Sequence, residues 1–439
     1  MAQNTSRREF LKITAAAAVG VAAASRGFAR KAQSPNDRIR YGIIGAGGKG
    51  WSGTEQAAQT GDIVALCDVD SNALAQAGEV HPKASKHTDY RKMLIEHGKE
   101  FDAVIISIPD HHHAFASSLA MRLGKHVYCE KPMTRTITEA RTIQDIAKKT
   151  KVATQMGNQG SANDALRKVV ALAKAGTFGK IKEVHCWTDR PAGWWPQGVP
   201  RPATKPVPAN VDFDIWLGPS PLRPFADGYH PFAWRGWWDF GTGSMGDIAC
   251  HCMNLPFRAC DLRDPIAVQA QTSGHNRDSY PLWSIIRYEF AKTKERPEVT
   301  LTWYDGGKQP PQELAPGVKY QGNGSLMVFE NATIYSPGEY GGSAVIVGGG
   351  ELPNIEFEKS PGHMQEFARA IKGGPAAHSN FVEYAGPLTE MMLVGNLGVW
   401  ADGPRLKWDA KRNRIQGGSK EYDRLIKPEY RAGWSLSMI

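Results

Sequence analysis

The feature that most constrains this 439-residue chain is an apolar run that passes directly into three spaced glycines. Residues 41–44 (YGII) have the continuous apolar character of a buried parallel strand. Gly45-x-Gly47-x-x-Gly50 follows at once and leads into a segment, 51–60, with helical character. In such a unit the first glycine allows a tight turn, the second lets backbone approach a pyrophosphate, and the third lets helix and strand pack closely. The run therefore predicts a dinucleotide-binding βαβ unit.

A carboxylate follows the second predicted strand at the distance that this unit requires. The run DIVALCDVD (62–70) is typical of a buried strand, and Asp68 stands 18 residues beyond Gly50. A carboxylate at this position accepts hydrogen bonds from the adenosine ribose hydroxyls. Its charge would repel the 2′-phosphate of NADP, and no arginine follows to neutralise that phosphate. The pattern favours NAD over NADP, the alternative being a surface aspartate that only ends a strand.

Strands and helices continue to alternate through the first third of the chain. Strands are predicted at 101–109, 125–132 and 151–159, with helices at 112–123 and 138–149. This spacing argues for a right-handed doubly wound sheet, in which ligands lie beyond the carboxyl ends of the strands. The residues expected on that rim beside the cofactor are Pro109, His113, Glu130, Lys131 and Gln159.

Neither the histidines nor the cysteines form a pattern typical of a metal site. In an extended stretch only alternate residues share a face, so His111, His112 and His113 are not expected to converge on one ion. His113 is placed near the cofactor and the other two on the rim. The six cysteines form no CxxC pair, and Cys250-x-Cys252 around His251 lacks visible partner ligands. No metal site is predicted.

From about residue 160 to 360 the pattern changes to short β-like runs separated by glycine and proline loops. Such runs favour a mostly antiparallel sheet. Helices are predicted at 362–372 and 387–400, with Met391, Leu393 and Val394 buried. The β-like runs are IKEVHCW, IAVQAQTS, SIIRYEFA, EVTLTWYD and GSLMVFEN.

The first 29 residues have the character of a twin-arginine export signal. Arg7-Arg8 precede an apolar stretch of small residues at 13–25 and a small-x-small step at 27–29. We therefore expect the Tat machinery to export the protein to the periplasm. Without these residues the net charge falls from +9 to +6 and is scattered, which gives no support for a nucleic-acid partner. No later stretch is long and apolar enough to predict a membrane span.

Together these features resemble the Gfo/Idh/MocA family, named for glucose–fructose oxidoreductase and inositol dehydrogenase. The shared pieces are the glycine turn, Asp68, PDHHH (109–113), EKP (130–132) and Asp-x-x-x-His (247–251). The resemblance implies an α/β protein in which a linker (30–37) leads to an NAD-binding Rossmann domain (38–158). A substrate-binding and oligomerisation α+β domain (159–439) with a large, mostly antiparallel sheet follows. It also implies a homo-oligomer, dimer or tetramer, and a cis Lys131–Pro132 bond.

The run DFGTGSMGDIACHCMN (239–254) is the predicted catalytic segment. On a helix, Asp247 and His251 are four residues apart and share a face. His251 suits the base that removes a hydroxyl proton, and Asp247 can orient its imidazole or hold a neighbouring hydroxyl. Lys131 can donate a hydrogen bond to the reacting oxygen. The resemblance implies the same three catalytic residues, whereas Ser244-x-x-Asp247 also fits a capping box, which would make Asp247 structural.

Aromatic and polar side chains between residues 187 and 238 indicate a carbohydrate substrate. Aromatic faces suit the CH faces of a sugar ring, and polar side chains suit its hydroxyls. The alternative is that many of the tryptophans are core residues. The predicted substrate-binding residues are Arg190, Trp195, Tyr229, His230 and Arg235.

These features predict an exported oxidoreductase that acts on a sugar or sugar derivative through tightly bound NAD. Twin-arginine export carries folded proteins, so NAD loaded in the cytosol would have to stay bound and be regenerated in the same site. A second hypothesis is an NAD-dependent glycosidase or keto-glycoside lyase that works by transient oxidation and elimination. A third, a non-catalytic carbohydrate-binding protein, is disfavoured by the presence of Lys131, Asp247 and His251.

Overall fold

The structure, a computed structural model, describes residues 38–418 and 420–436, and the predicted signal (1–29) and linker (30–37) lie outside them. The first part of the chain forms a six-stranded, wholly parallel sheet in the order β3-β2-β1-β4-β5-β6. This is the doubly wound order of dinucleotide-binding sheets and confirms the predicted fold class. The strands are β1 (Ile39–Ile44), β2 (Gly61–Cys67), β3 (Ser85–His87), β4 (Ala103–Ile106), β5 (His126–Cys129) and β6 (Thr154–Met156).

Helices connect these strands, and three of the five begin at a side-chain cap. The Asp70 carboxylate accepts a hydrogen bond from the Asn72 N–H, and Glu139 accepts one from the Thr136 N–H at the start of the fifth helix. The predicted strands at 101–109, 125–132 and 151–159 are shorter in the structure, because their flanking residues belong to the turns at the rim. The helices are α1 (Lys49–Ala58), α2 (Ser71–Val80), α3 (Tyr90–Glu96), α4 (Asp110–Arg122) and α5 (Ile137–Thr150).

The second sheet has nine strands in the order β13-β12-β11-β7-β10-β9-β8-β14-β15. All neighbours are antiparallel except β7 and β10, which confirms the predicted mostly antiparallel sheet. The strands are β7 (Ile181–Trp187), β8 (Ala267–Thr272), β9 (Ser284–Phe290), β10 (Val299–Tyr304), β11 (Gly324–Phe329), β12 (Thr333–Pro337), β13 (Val345–Ile346), β14 (Leu406–Asp409) and β15 (Arg414–Ile415).

The remaining helices include the layer that packs on the second sheet. The longest packs on β8 and β9 and buries Met391, Leu393 and Val394, as predicted. No helix in the described part of the chain is both long and apolar enough to cross a bilayer. The helices are α6 (Asp164–Lys174), α7 (Phe213–Leu217), α8 (Cys250–Cys252), α9 (Asn254–Ala259), α10 (His363–Ile371), α11 (Gly386–Ala401) and α12 (Asp423–Ile426).

Segments from late in the chain complete the core around the first sheet. Helix α10 packs Phe367 and Ile371 into the same apolar cluster as Ile39 and Tyr41 of the first strands. Near the C-terminus, the Tyr430 hydroxyl donates to Glu139 of α5 at 2.9 Å. One apolar cluster contains residues of both sheets, so the two sheets share a common interior.

Candidate active site

A large cavity lies along the carboxyl ends of the parallel strands. Its volume is about 670 Å³, within the range of small-molecule and cofactor sites. One side is lined by the glycine turn and Asp68, and the other by Lys131, Asp247 and His251. All three predicted catalytic residues thus line the same space as the predicted dinucleotide-binding turn.

The glycine turn has the geometry that close approach to a phosphate requires. Gly45 has φ +87°, and a Cβ there would lie 2.2 Å from the Ser107 carbonyl oxygen. A Cβ on Gly50 would lie 1.9 Å from the carbonyl oxygen of Gly45. Gly47 and Gly48 line the cavity just before α1, whose N-terminal N–H groups favour an anion. The turn therefore fits the pyrophosphate of a dinucleotide.

Asp68 lies at the end of β2, as predicted, and also binds the glycine turn. Its Oδ2 accepts hydrogen bonds from the N–H groups of Ala46 (2.8 Å) and Gly47 (3.2 Å), and its Oδ1 accepts one from Asp70 (2.9 Å). Burial raises the pKa of Asp68, although the backbone donors oppose the rise. The two carboxylate oxygens offer about four acceptor positions. The three backbone donors occupy three of them, so one remains for a ribose hydroxyl.

Replacing Gly50 by alanine should disrupt this turn. The added Cβ must displace the Gly45 carbonyl, so we expect a loss of about 1–3 kcal/mol in the free energy of unfolding and at least tenfold weaker NAD binding. Thermal unfolding and calorimetric titration with NAD measure both effects. Gly98→Ala is the matched control, because its Cβ would meet nothing closer than a Lys125 side-chain carbon at 3.6 Å. Equal behaviour of the two variants would contradict the prediction.

The three histidines are placed differently from the sequence prediction. They lie in the first turn of α4 instead of an extended stretch, and all three are buried. His113 lines the cavity, with its ring nitrogens 2.7 Å from the carbonyl oxygens of Ile108 and Pro132. His112 also lines the cavity, as predicted for a rim residue, whereas His111 does not. Their Nε2 atoms lie 2.9 Å (His111) and 2.8 Å (His112) from the carbonyl oxygen of Trp216.

The other predicted cofactor residues line the cavity between the glycine turn and the catalytic segment. Pro109 precedes α4, and Gln159 follows β6. Glu130 is buried, with Oε1 3.7 Å from the Nζ atom of Lys49 at the start of α1. Together they form the part of the wall at which the strands end.

Lys131 is held against Asp247. The Lys131–Pro132 bond is cis, as the resemblance implied. The Lys131 ammonium donates to the Asp247 carbonyl oxygen at 2.6 Å and to its Oδ1 at 2.8 Å. Burial by itself would lower the pKa of Lys131, but the Asp247 carboxylate outweighs it and the pKa is raised. Burial likewise opposes ionisation of Asp247, yet Lys131 and Arg235 hold its pKa well below the usual range. The pair is ionised at neutral pH.

Asp247 does not orient the His251 imidazole in the structure, because its carboxylate and the imidazole have different partners. Residues Met245–Ala249 form a wider turn, in which hydrogen bonds join residues five apart, before α8 begins. Asp247 is occupied by Lys131 and by Arg235, whose Nε donates to Oδ1 at 3.0 Å. Ser244 makes no capping hydrogen bond, so the capping-box alternative is also not observed.

Asn158, which the sequence did not single out, orients the imidazole instead. Its amide Nδ2 donates to the Cys250 carbonyl at 2.7 Å and to the Tyr384 hydroxyl at 2.6 Å, which assigns the other amide atom as the oxygen. That Oδ1 lies 2.8 Å from His251 Nδ1 and accepts its hydrogen. Nε2 of the neutral ring is therefore the unprotonated nitrogen. Burial, reinforced by the charge of Lys131, holds the pKa of His251 well below 6.5.

The Asn158→Asp variant tests this arrangement. A carboxylate beside Nδ1 stabilises the imidazolium, so the pKa of His251 should rise by about 1–3 units and the acid limb of kcat/KM should move to higher pH. A pH–rate profile measures the shift. Asn276→Asp adds the same charge at an exposed position and should leave the profile unchanged. An unshifted acid limb in Asn158→Asp would show that Asn158 does not control the imidazole.

Asp110 is a second proton-exchanging group in the cavity that the sequence did not reveal. It is buried in the first turn of α4, and Thr242 donates to its Oδ2 at 2.6 Å. Burial raises the pKa of Asp110 to about 7, against opposing effects of Thr242 and Arg235. This carboxyl group can therefore gain or lose a proton near neutral pH.

The predicted substrate residues divide into two groups. Arg190 and Arg235 line the cavity; Arg190 stacks 3.9 Å from the centroid of Trp194, and Arg235 lies 4.3 Å from that of Phe232. Trp194, Phe232 and Tyr340 also line it, with 52%, 41% and 39% of their surfaces exposed. They form an aromatic rim around the two guanidinium groups.

Of the other three predicted substrate residues, Trp195 and Tyr229 do not line the cavity, whereas His230 does. Trp195 is buried and donates to Gln197, so its neighbour Trp194 reaches the cavity instead. Tyr229 packs within a buried aromatic cluster and does not line the cavity. His230 does line it, but at the Asp68 end, where its Nε2 lies 3.2 Å from Asp70. Adjacent residues point to different sides of a loop, and the sequence did not indicate which residue of the pair faces the cavity.

The parallel sheet, glycine turn and cavity define a nicotinamide-dependent oxidoreductase fold. The model described as "Oxidoreductase family, NAD-binding Rossmann fold" matches residues 39–158, and "Oxidoreductase family, C-terminal alpha/beta domain" matches residues 166–296. The chain belongs to the Gfo/Idh/MocA family of oxidoreductases. Its first domain is the NAD-binding domain of that family, and NAD is its cofactor, as Asp68 predicted.

Individual relatives share parts of the chain or its fold. A glycosyl hydrolase family 109 protein of Solibacter usitatus is 33% identical over 195 residues, which cover 40% of this chain and 44% of the relative. An alpha-N-acetylgalactosaminidase of Shewanella oneidensis is 28% identical over 207 residues, with coverage of 40% and 44%. The match thus spans less than half of these curated relatives. The WlbA dehydrogenase from Bordetella pertussis, solved with NADH and UDP-GlcNAcA, has a TM-score of 0.60 at 17% identity, covering 85% of this chain and 99% of that one.

Proposed function

We propose that this chain is an oxidoreductase that transfers hydride between a CH–OH group of a sugar or sugar derivative and an NAD molecule that stays bound. The observation that carries the proposal is the placement of His251 and Lys131 in the cavity of the glycine turn. His251 offers an unprotonated nitrogen and Lys131 an ammonium group, which are the base and the hydrogen-bond donor that this reaction requires.

The chemistry follows from the protonation states of these groups. Oxidation of CH–OH to C=O breaks a C–H and an O–H bond, and bound NAD would supply the acceptor for the hydride. His251 Nε2 accepts the hydroxyl proton, and Asn158 Oδ1 continues to accept from Nδ1 in the imidazolium form. Lys131 donates to the same substrate oxygen and stabilises its developing negative charge. In the reverse direction His251 returns the proton.

The aromatic rim supports a carbohydrate substrate. The exposed faces of Trp194 and Phe232 suit the CH faces of a sugar, and the guanidinium groups of Arg190 and Arg235 suit its hydroxyls. The ligands named for structural relatives include sugar derivatives, among them UDP-GlcNAcA in the WlbA dehydrogenase complex and levoglucosan in a levoglucosan dehydrogenase complex.

A second candidate, oxidation followed by elimination of a glycoside, is favoured by Asp110 and by the names of the curated relatives. Oxidation of a ring carbon acidifies the neighbouring C–H, whose proton a second base must remove while the aglycone leaves. Water then adds to the resulting unsaturated ketone in place of the aglycone, and return of hydride to the carbonyl carbon gives the free sugar. A carboxyl group with a pKa of about 7 can take that proton.

Product analysis without added cofactor tests the two candidates. The protein is incubated with a panel of aryl glycosides and free sugars, and its nucleotide is identified by mass spectrometry after denaturation. A lactone or keto-sugar supports net oxidation, whereas a released aglycone supports elimination. Sugar binding without either product and without a change in nicotinamide absorbance would overturn both in favour of a carbohydrate-binding protein.

We also propose that the protein is exported through its twin-arginine signal with NAD already bound. All six cysteines are buried free thiols, as in a protein that folds in a reducing compartment before transport. The R7K/R8K double variant should accumulate in the cytoplasm, which fractionation measures; periplasmic accumulation would contradict this route. The dimer or tetramer stays a prediction that light scattering can test.

A further inference from the structure

We infer that residues 208–232, here called the strap, close the adenosine side of the cavity and control the rate at which NAD leaves. The inference rests on the proposed function, in which NAD stays bound between turnovers. The strap belongs to the chain beyond the parallel sheet, yet it crosses the end of β2 directly after Asp68, the carboxylate expected to bind the ribose.

Backbone hydrogen bonds join the strap to this end of the sheet. The Asp212 N–H donates to the Val69 carbonyl at 2.9 Å, and the Ser71 N–H donates to the Asn210 carbonyl at 2.8 Å. Between them, Asp70 and Val211 form an antiparallel bridge. A short piece of sheet ladder therefore connects the strap to the residues that follow Asp68.

The Asp70 carboxylate binds both ends of the strap. Oδ1 accepts from the Asn210 amide at 2.8 Å, and Oδ2 lies 3.2 Å from His230 Nε2. The same Oδ1 caps α2 by accepting from the Asn72 N–H. We call Asp70, Asn210 and His230 the latch. Burial by itself would raise the pKa of Asp70. The hydrogen bonds from Asn210 and His230 outweigh burial and hold that pKa below its usual value, so the carboxylate is charged at neutral pH.

The middle of the strap lines the same cavity as Asp68. Ile215 and Trp216 of α7 line the cavity, as does His230 at the far end of the strap. The Trp216 carbonyl lies 2.9 and 2.8 Å from the Nε2 atoms of His111 and His112 in α4. A nucleotide bound beside Asp68 is thus enclosed between the sheet edge and the strap. Its release requires the strap to move.

Nucleotide release from latch variants tests the inference. Full-length protein loaded with NADH is mixed with excess NAD, and the decay of bound-NADH fluorescence gives the dissociation rate. The variants are Asn210→Ala, His230→Phe and their combination, which leave the Asp70 cap of α2 in place. Each loses a hydrogen bond to a charged group, so the double variant should release NADH at least about tenfold faster than the unmodified protein.

Lys205→Gln is the control, because the Lys205–Asp227 ion pair lies on the exposed side of the same region and does not contact Asp70. It should release NADH at the unmodified rate, and circular dichroism should show every variant folded.

Slow release in the unmodified protein and in the folded double variant would overturn the latch but leave the proposed function intact. Release within a single turnover from the unmodified protein would overturn cofactor retention and the latch together. Accelerated release in the double variant, with no sugar oxidised by the unmodified protein, would support the latch and contradict the proposed function.

Discussion

The Lys131→Met variant should transfer hydride about 10²- to 10³-fold more slowly than the unmodified protein while still binding NAD. Methionine keeps the length and apolar stem of the side chain but removes the ammonium group. The reacting oxygen then loses the donor that stabilises its negative charge. Asp247 loses its two hydrogen bonds from Lys131 but keeps that from Arg235, so the wall of the cavity should persist.

Single-turnover nicotinamide absorbance after mixing with an oxidisable sugar measures this rate, and titration with NAD measures binding. Lys49→Met is the matched control, because Lys49 also lines the cavity but lies beside Glu130 at the start of α1. It should weaken NAD binding without slowing the hydride step. An unchanged rate in Lys131→Met would remove Lys131 from the mechanism.

The His251→Gln variant should lower kcat by about 10²- to 10⁴-fold, the range for loss of a general base. Glutamine can still bond to Asn158 but cannot accept the hydroxyl proton at neutral pH. In the unmodified protein the base is active only when the imidazole is neutral. Because burial holds the pKa of His251 well below 6.5, the rate of the hydride step, which does not use Asp110, should be constant as pH falls from 8 to about 6.5 and decline only at lower pH.

His185→Gln provides the matched control for this experiment. His185 is also buried and its pKa is also lowered by burial, but it lies in β7 beside Tyr304, outside the cavity. This variant should retain kcat and the unmodified pH profile. The interpretation of His251 as the base would be wrong if its variant kept more than a tenth of the unmodified kcat at pH 7.

Several elements were predictable because their signals are local. The strand predicted at 181–187 has the same bounds in the structure, and the helix predicted at 387–400 differs by one residue at each end. The glycine spacing and Asp68 indicated the cofactor because turn geometry and strand length place them together. The strand ends were less predictable, since an apolar residue continues the pattern whether it belongs to the strand or to the turn after it.

The catalytic segment shows where local reasoning reached its limit. The sequence brought Asp247 and His251 into one run, and both line the cavity. It did not indicate their hydrogen-bond partners, because a regular helix would place both side chains on one face. In the structure the turn is wider, Asp247 binds Lys131 and Arg235, and His251 binds Asn158. Trp194 and Trp195 illustrate the same limit, since composition identifies an aromatic pair but not the member that faces the ligand.

The sequence by itself determined the doubly wound sheet, the NAD-binding turn, the mostly antiparallel second sheet and the positions of Lys131, Asp247 and His251. Only the tertiary structure decided that Asn158 holds the imidazole, that Asp110 lies buried in the same cavity, and that the strap reaches Asp70. The physical reason is distance along the chain. Periodicity and turn chemistry act within a few residues, whereas these hydrogen bonds join residues roughly a hundred positions apart and exist only once the two sheets have packed together.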